Sequence, residues 1–440
     1  MQIRMLLPAL MFGLFTTTAM QAQAPVDSAL AAFIANIRAV DNHSHVNSVV
    51  SADSDSDALP LDGLAPSPPP IRLRPDNPVW IAAYKALYGY TYNDLDASHM
   101  AELRATMKSV ATQQGTHFPE WVLDRIGTDV MVANRIAMGP GLAPPRFRWA
   151  SYVDALLLPL STSAERTATP DYRVLYPLEE ALLRRYLAAL HLKRVPLTLP
   201  AYLKTVVTPT LEQQRKDGAL AVKFEAAYLR ALDFDDASES AAQRIYARYA
   251  AGGVPSHADY KTLQDYLFRY IARESGRLGM AVHIHSFEGG GSYYRVAGSN
   301  PLLLESAFND STLRATRFVL VHGGGVYHAN AGAMLTKPNV YVDMSIMPLA
   351  YSPDMLAGIL REWLTVYPEK VLFGTDAYGN GPDAGWELAA WLATTTSREA
   401  LTLALTGMIR DGEISRARAE HIATLVLRMN ANALYTLGLH

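Results

Sequence analysis

Short, nearly continuous apolar runs alternate along the chain with longer stretches whose apolar positions recur every three to four residues. The short runs predict strands at 37–43, 129–135, 152–158, 219–228, 280–286, 317–323, 339–345 and 370–376. The longer stretches predict helices, among them 177–192, 200–216, 258–278, 353–367 and 415–429. Strand alternating with helix implies a parallel sheet. Eight such strands, several apolar on both faces, predict an α/β chain folded as a (β/α)8 TIM barrel. One interval departs from the pattern. Between the second and third strands, Gly139-Pro140-Gly141 and Pro144-Pro145 leave little room for a helix.

A long interruption follows the first strand and predicts a lid-like insertion over 46–116. Its first part, 48–78, is rich in Ser, Asp and Pro and reads as irregular; 79–116 reads as helical, with Trp80, Tyr84, Leu87 and Tyr88 on one face. An extended loop of this kind reads either as a functional cover or as a plain surface loop. Barrel elements lie on both sides of it, so 25–440 is expected to be one domain.

The N-terminus has its own pattern. Arg4, an apolar stretch over 5–15 and Ala22-Gln23-Ala24 predict a secretory leader over 1–24, with an uncleaved amphipathic N-terminus as the alternative. The expected location is periplasmic or secreted. No later run reaches the roughly 18 apolar residues of a membrane span.

Composition narrows the chemistry. The 440 residues are 50% hydrophobic and 18% charged, with a net charge of −3. That balance supports a large core and argues against a nucleic-acid surface, which needs clustered excess Lys and Arg. There is no cysteine, so thiolate catalysis and thiolate ligation are excluded. Any metal must sit on nitrogen and oxygen.

Chemistry-bearing residues close several of the predicted strands. They are Asp41-Asn42-His43-Ser44-His45, His283-Ile284-His285, His322 before Gly323-Gly324-Gly325, and Phe373-Gly374-Thr375-Asp376. Residues two apart in a strand face the same side, so His43 and His45 aim at one point. In a barrel of this type the site lies at the C-terminal strand ends, where His43, His45, His285, His322 and Asp376 would converge. Such groups suit one or two divalent ions, with zinc first and manganese, iron or nickel as alternatives. Nucleophile-elbow, phosphate-loop and dinucleotide patterns are not supported: neither Gly-Gly-Gly run has the spacing they require.

This arrangement resembles the amidohydrolase superfamily, in particular its amidohydrolase-related (type 2) branch. Further local matches are Ser299-Asn300-Pro301, Asp343-Met344-Ser345 and Asn432-Ala433-Leu434-Tyr435. The resemblance implies His43, His45 and Asp376 on a first metal and His285 and His322 on a second. It also implies that Lys223, in the fourth strand, is carboxylated and bridges the two; the residues equally allow a neutral or ion-paired lysine beside a single metal, with Glu225 as its partner. Asp376 is expected to act as general base and then acid. His283, Tyr228, Arg230, Arg135 and His328 are substrate-binding candidates, with the two arginines suited to a substrate carboxylate. Glu288, Tyr293 and Arg295 lie on loops expected at the mouth. The implied function is a secreted metal-dependent hydrolase of a small molecule bearing an amide, ester or lactone. A decarboxylase-type lyase and a non-catalytic periplasmic binding protein are the alternatives, and the resemblance suggests a homo-oligomer.

Overall fold

The structure, a computed structural model, describes residues 26–47, 55–379, 381 and 383–439. The expected leader lies outside those residues. Eight strands form one sheet in sequential order: β1 (Ala39–Ser44), β2 (Thr128–Arg135), β3 (Phe147–Tyr152), β4 (Ala219–Phe224), β5 (Ala281–His285), β6 (Phe318–Val321), β7 (Val340–Asp343) and β8 (Val371–Leu372). Every neighbouring pair is parallel. The chain just past β8 returns to β1: Asn42 N donates to Phe373 O (2.9 Å), Asp376 N to His43 O (2.8 Å) and His45 N to Ala377 O (2.8 Å). This nearly closes the sheet into the expected (β/α)8 barrel.

Seven of the eight strands overlap their expected ranges closely; the third does not. β3 begins at Phe147, directly after the Gly/Pro stretch, and pairs with β2 and β4 in register (Met131 with Phe147, Tyr152 with Lys223). The apolar run expected as that strand, 152–158, turns instead into a short 3-10 segment, Asp154–Leu157, buried throughout. Burial makes a run apolar whether or not it is extended, so apolarity alone misplaces the strand.

The expected helices form close to their predicted bounds: Tyr176–Ala189, His257–Arg277 and Pro353–Val366. The stretch 199–216 is helical with a π segment, Leu203–Val207, in its middle. The longest helix, Trp386–Arg410 at 25 residues, carries no single apolar stripe, because it is covered on several sides. The insertion divides into two parts. Val79–Tyr88 is a helix that packs on Trp386–Arg410 through Trp80, Tyr84, Leu87 and Leu388, and the helix Ala97–Gln114 packs on Val79–Tyr88 in turn. The segment 55–73 lies over the C-terminal mouth of the barrel instead.

Candidate metal centre

The chemistry-bearing residues meet where the strands end. His43 sits near the end of β1 and His45 just past it, with ring centroids 5.1 Å apart. His285 closes β5, His322 follows β6, and Asp376 lies beyond β8. His43 Nε2 is 3.0 Å from Asp376 Oδ1, and His45 Nε2 is 3.4 Å from the same oxygen. His43, His322 and Asp376 each offer a ligand atom within 4.8 Å of the others. The His285 ring lies 4.8 Å from that of His322.

Two of these residues hold backbone conformations that L side chains rarely adopt. His322 has φ 72° and Asp376 φ 55°. Left-handed backbone at a non-glycine residue costs about 1–3 kcal/mol and persists where the surroundings enforce it. Here the enforcing contacts are Asp376 N on His43 O and His322 N on Asp343 Oδ1 (2.9 Å). The glycines after His322 are equally constrained: a Cβ on Gly323 would lie 2.4 Å from the Trp363 ring.

Each imidazole is held through its other nitrogen, which fixes the tautomer. Ser345 Oγ donates to Asp343 Oδ1 (2.5 Å) and so accepts from His322 Nδ1 at 2.8 Å, leaving Nε2 with a free lone pair. His285 Nε2 donates to Phe287 O (3.0 Å), which leaves Nδ1 free. His45 Nδ1 faces Asp57 Oδ2 at 3.1 Å, and Tyr152 Oη lies 3.3 Å from the same nitrogen. His43 Nδ1 lies 2.8 Å from the Asn134 amide, whose Oδ1 is buried without a partner. Turning that amide over would let Oδ1 accept from Nδ1–H and free His43 Nε2 as a ligand, at the loss of the bond that Nδ2 donates to Ser44 O (3.1 Å).

Electrostatics match this donor set at His43, His285 and His322, while without an ion His45 is held protonated by its carboxylates. Burial pushes His322 down to about 3 and takes His43 and His285 well below the ordinary histidine value, so all three are neutral. Burial alone would raise Asp376, but His322, His43 and His45 together hold it well below the usual carboxylate range. Burial alone would lower His45; Asp57 and Asp376 raise it to about 10. His43 Nε2 and Asp376 Oδ1 are buried atoms 3.0 Å apart, neither placed to make a hydrogen bond. Buried polar atoms left in this way are costly unless a ligand engages them. Neutral imidazoles facing an ionised carboxylate fit a divalent ion.

The remaining sequence candidates separate clearly. Tyr228 lines the cavity above the centre, its ring 4.8 Å from that of His285. Lys223 is fully buried on β4 and its Nζ meets Glu225 Oε1 at 3.3 Å. His283, its register neighbour on β5, pairs through Nε2 with Tyr435 Oη (2.6 Å) and does not line the cavity. The two arginines are drawn away from the mouth. Arg230 donates to Asp265 Oδ1 (2.7 Å) and Gln264 Oε1 (3.0 Å), and Arg135 to the carbonyls of Val46 (2.7 Å) and Ala137 (2.9 Å). His328 Nε2 faces Glu362 at 3.7 Å, outside the cavity. Asp57, Asn134 and Ser345 were not singled out as site residues from sequence. Ser345 closes a predicted strand and was readable; Asp57 and Asn134 reach the site only through the tertiary fold.

The sequence model of the family described as Amidohydrolase matches residues 203–437, more than half of the chain. Protein fluG of Emericella nidulans is 30% identical over 142 residues, which is 32% of this chain and 16% of that protein. The chain therefore aligns with only about a sixth of that relative's length. Among solved structures, a glucuronate isomerase from Caulobacter crescentus superposes with TM-score 0.63 at 13% identity, covering 94% of both chains. A structure from Lactobacillus casei described as a metal-dependent hydrolase gives TM-score 0.58 at 15% identity, covering 93% of this chain and 98% of that one. At such identities the structures establish the shared fold. With the family matched over most of its barrel, the chain belongs to the amidohydrolase family and is a metal-dependent enzyme of that superfamily.

Proposed function

We propose that the chain is a hydrolase that cleaves an amide, ester or lactone bond of a small molecule with an activated water. The observation that carries this reading is Asp376: ionised, flanked by the Nε2 atoms of His43 and His45, and lining a cavity of about 710 Å³. His43, His322 and Asp376, with His45 beside them, would hold the ion. When bound, a divalent ion polarises a carbonyl oxygen and lowers the pKa of a water. Asp376 takes the proton of the attacking water and returns it to the leaving group. His285, neutral and anchored on Phe287 O, presents Nδ1 to the same space. Tyr228 and Phe287 wall the substrate and displace water around it.

A single ion is the favoured stoichiometry. Lys223 already has Glu225 as its partner, and a carbamate there would place a second negative group beside that carboxylate. A lyase or a sugar-acid isomerase would bind a carboxylate substrate. No Lys or Arg is found among the described residues lining the cavity, which favours hydrolysis over both. Secretion through residues 1–24 is part of the proposal, and the N-terminal sequence of the mature protein tests it. For the activity, the zinc- or manganese-loaded protein is screened against amides, esters and lactones, with Asp376→Asn as control. Turnover that the substitution abolishes is the expected result; turnover unaffected by it overturns the role of Asp376. Metal analysis giving two equivalents per chain overturns the single-ion reading.

A further inference from the structure

Beyond the metal-centred residues, the cavity wall carries one sign of charge. Glu225, Glu288, Asp57 and Asp62 all line it, and among the described lining residues there is no Lys or Arg. Asp62, exposed at the rim, and Glu288, partly buried, have no ion-pair partner among the described residues. Glu288 accepts only a long hydrogen bond from Val326 N (3.3 Å). Glu225 is 5% exposed; Lys223 meets its Oε1, and Oε2 has no hydrogen-bond partner among the described residues. The sequence-predicted carboxylate grips, Arg230 and Arg135, are engaged elsewhere. The rest of the wall is aromatic and aliphatic, with Tyr228, Phe287, Tyr351 and Tyr378 around the same space.

We propose that the substrate of this site is a cationic, amine-bearing molecule with an apolar or aromatic body, and that Glu288 and Asp62 select for its charge. A carboxylate in a pocket already holding unpaired carboxylates meets like-charge repulsion in a partly dehydrated space. An ammonium there gains the carboxylates and the faces of the tyrosines, which attract a cation within about 6 Å of the ring centre. Asp57 is committed to His45, Glu225 to Lys223 and Asp376 to the metal centre, so the charge that selects lies on Glu288 and Asp62, with the free oxygen of Glu225 left as a buried hydrogen-bond acceptor for the ammonium.

The inference builds on the hydrolase reading, and the test has two arms so that the two can fail separately. In the turnover arm, three anilides share one scissile bond and differ only in an acyl tail ending in an ammonium, a methyl or a carboxylate group. The expected order of kcat/KM is ammonium above methyl above carboxylate, by about tenfold or more between the extremes, equivalent to 1.4 kcal/mol or more. The double variant Glu288→Gln, Asp62→Asn is expected to shrink the ammonium-to-methyl ratio. Equal rates, or a preference for the carboxylate tail, overturn the proposal. In the binding arm, calorimetry on the metal-loaded protein compares phenyltrimethylammonium, which cannot ligate a metal, with benzenesulfonate. Tighter binding of the cation, weakened in the double variant, supports the proposal; equal binding, or tighter binding of the anion, overturns it. A protein that hydrolyses none of the three anilides yet binds the cation selectively keeps this inference and loses the hydrolase reading for such bonds.

Discussion

The floor and the wall of the cavity are built on different principles. The floor is a buried hydrogen-bond network tying strand ends together. Asp41 accepts from the His43 and Thr375 amides (3.1 and 3.0 Å), and Asn42 Nδ2 donates to Asp343 Oδ2 (2.6 Å). Asp343 Oδ1 in turn accepts from the amides of His322 and Ser345 (2.9 and 3.0 Å). Tyr435 Oη donates to Asn42 Oδ1, which brings the short helix Asn430–Tyr435 into the same network. The wall is made of loops, 55–73 from the insertion and 287–292 after β5, joined by few bonds: Ser292 N on Ala65 O (3.0 Å) and Ser292 Oγ on Pro66 O (2.6 Å), with Tyr172 Oη holding Gly290 O (2.8 Å) from the side. A buried network whose strand-end carboxylates are held by several donors each fixes positions to about half an ångström or better, as metal ligation demands. Loops with few bonds tolerate change and can carry selectivity instead. Asp57 and Phe287 cross the divide, each standing on the wall and holding a floor imidazole, His45 and His285 respectively.

Substitutions that sharpen this contrast span a wide range of effect. Asp376→Asn removes the proposed proton acceptor of the floor, and steady-state kinetics are expected to show a loss of about 10²–10⁴-fold in kcat, a magnitude typical of general-base removal. Ser345→Ala leaves His322 Nδ1 without its partner. Metal affinity, measured by competition with a chelator, is expected to fall about 10–100-fold for loss of such an orienting contact. Asp57→Asn, at a position partly open to solvent and with Tyr152 also near His45 Nδ1, is expected at the low end of that range, about tenfold. Unchanged metal affinity in this variant would show that wall and floor are independent at His45.

The smallest expected effect concerns stability. Burial pushes Asp154 up to about 8, so the folded chain keeps a proton that the unfolded chain releases near pH 4. The unfolded state is therefore favoured progressively as pH rises from about 4 to about 8, and this contribution to stability falls over that window. Thermal melts of Asp154→Asn, whose amide oxygen can still accept from Glu225 N, should show a shallower loss of Tm between pH 5 and 8 than the parent chain. An identical slope would remove Asp154 from the account.

The sequence by itself determined the barrel and the identity of the groups at its mouth. Both rest on local periodicities: apolar runs that end in His43, His285 and His322, and a two-residue repeat that turns His43 and His45 to one side. What it misplaced was β3, since the run after Tyr152 is apolar from burial rather than from strand geometry. Only the tertiary structure decided which polar groups serve the centre from a distance. Asp57 lies in a Ser/Asp-rich stretch where several carboxylates look alike, and Asn134 depends on the packing of β1 against β2. It also decided the charge of the wall: Arg135 and Arg230 stand where a strand-end reading puts substrate contacts, yet backbone carbonyls and Asp265 draw them away. An arginine goes to the acceptors nearest in space, and those come from segments far apart in the chain. For that reason the candidate ligands were legible residue by residue, while the sign of the field around them was not.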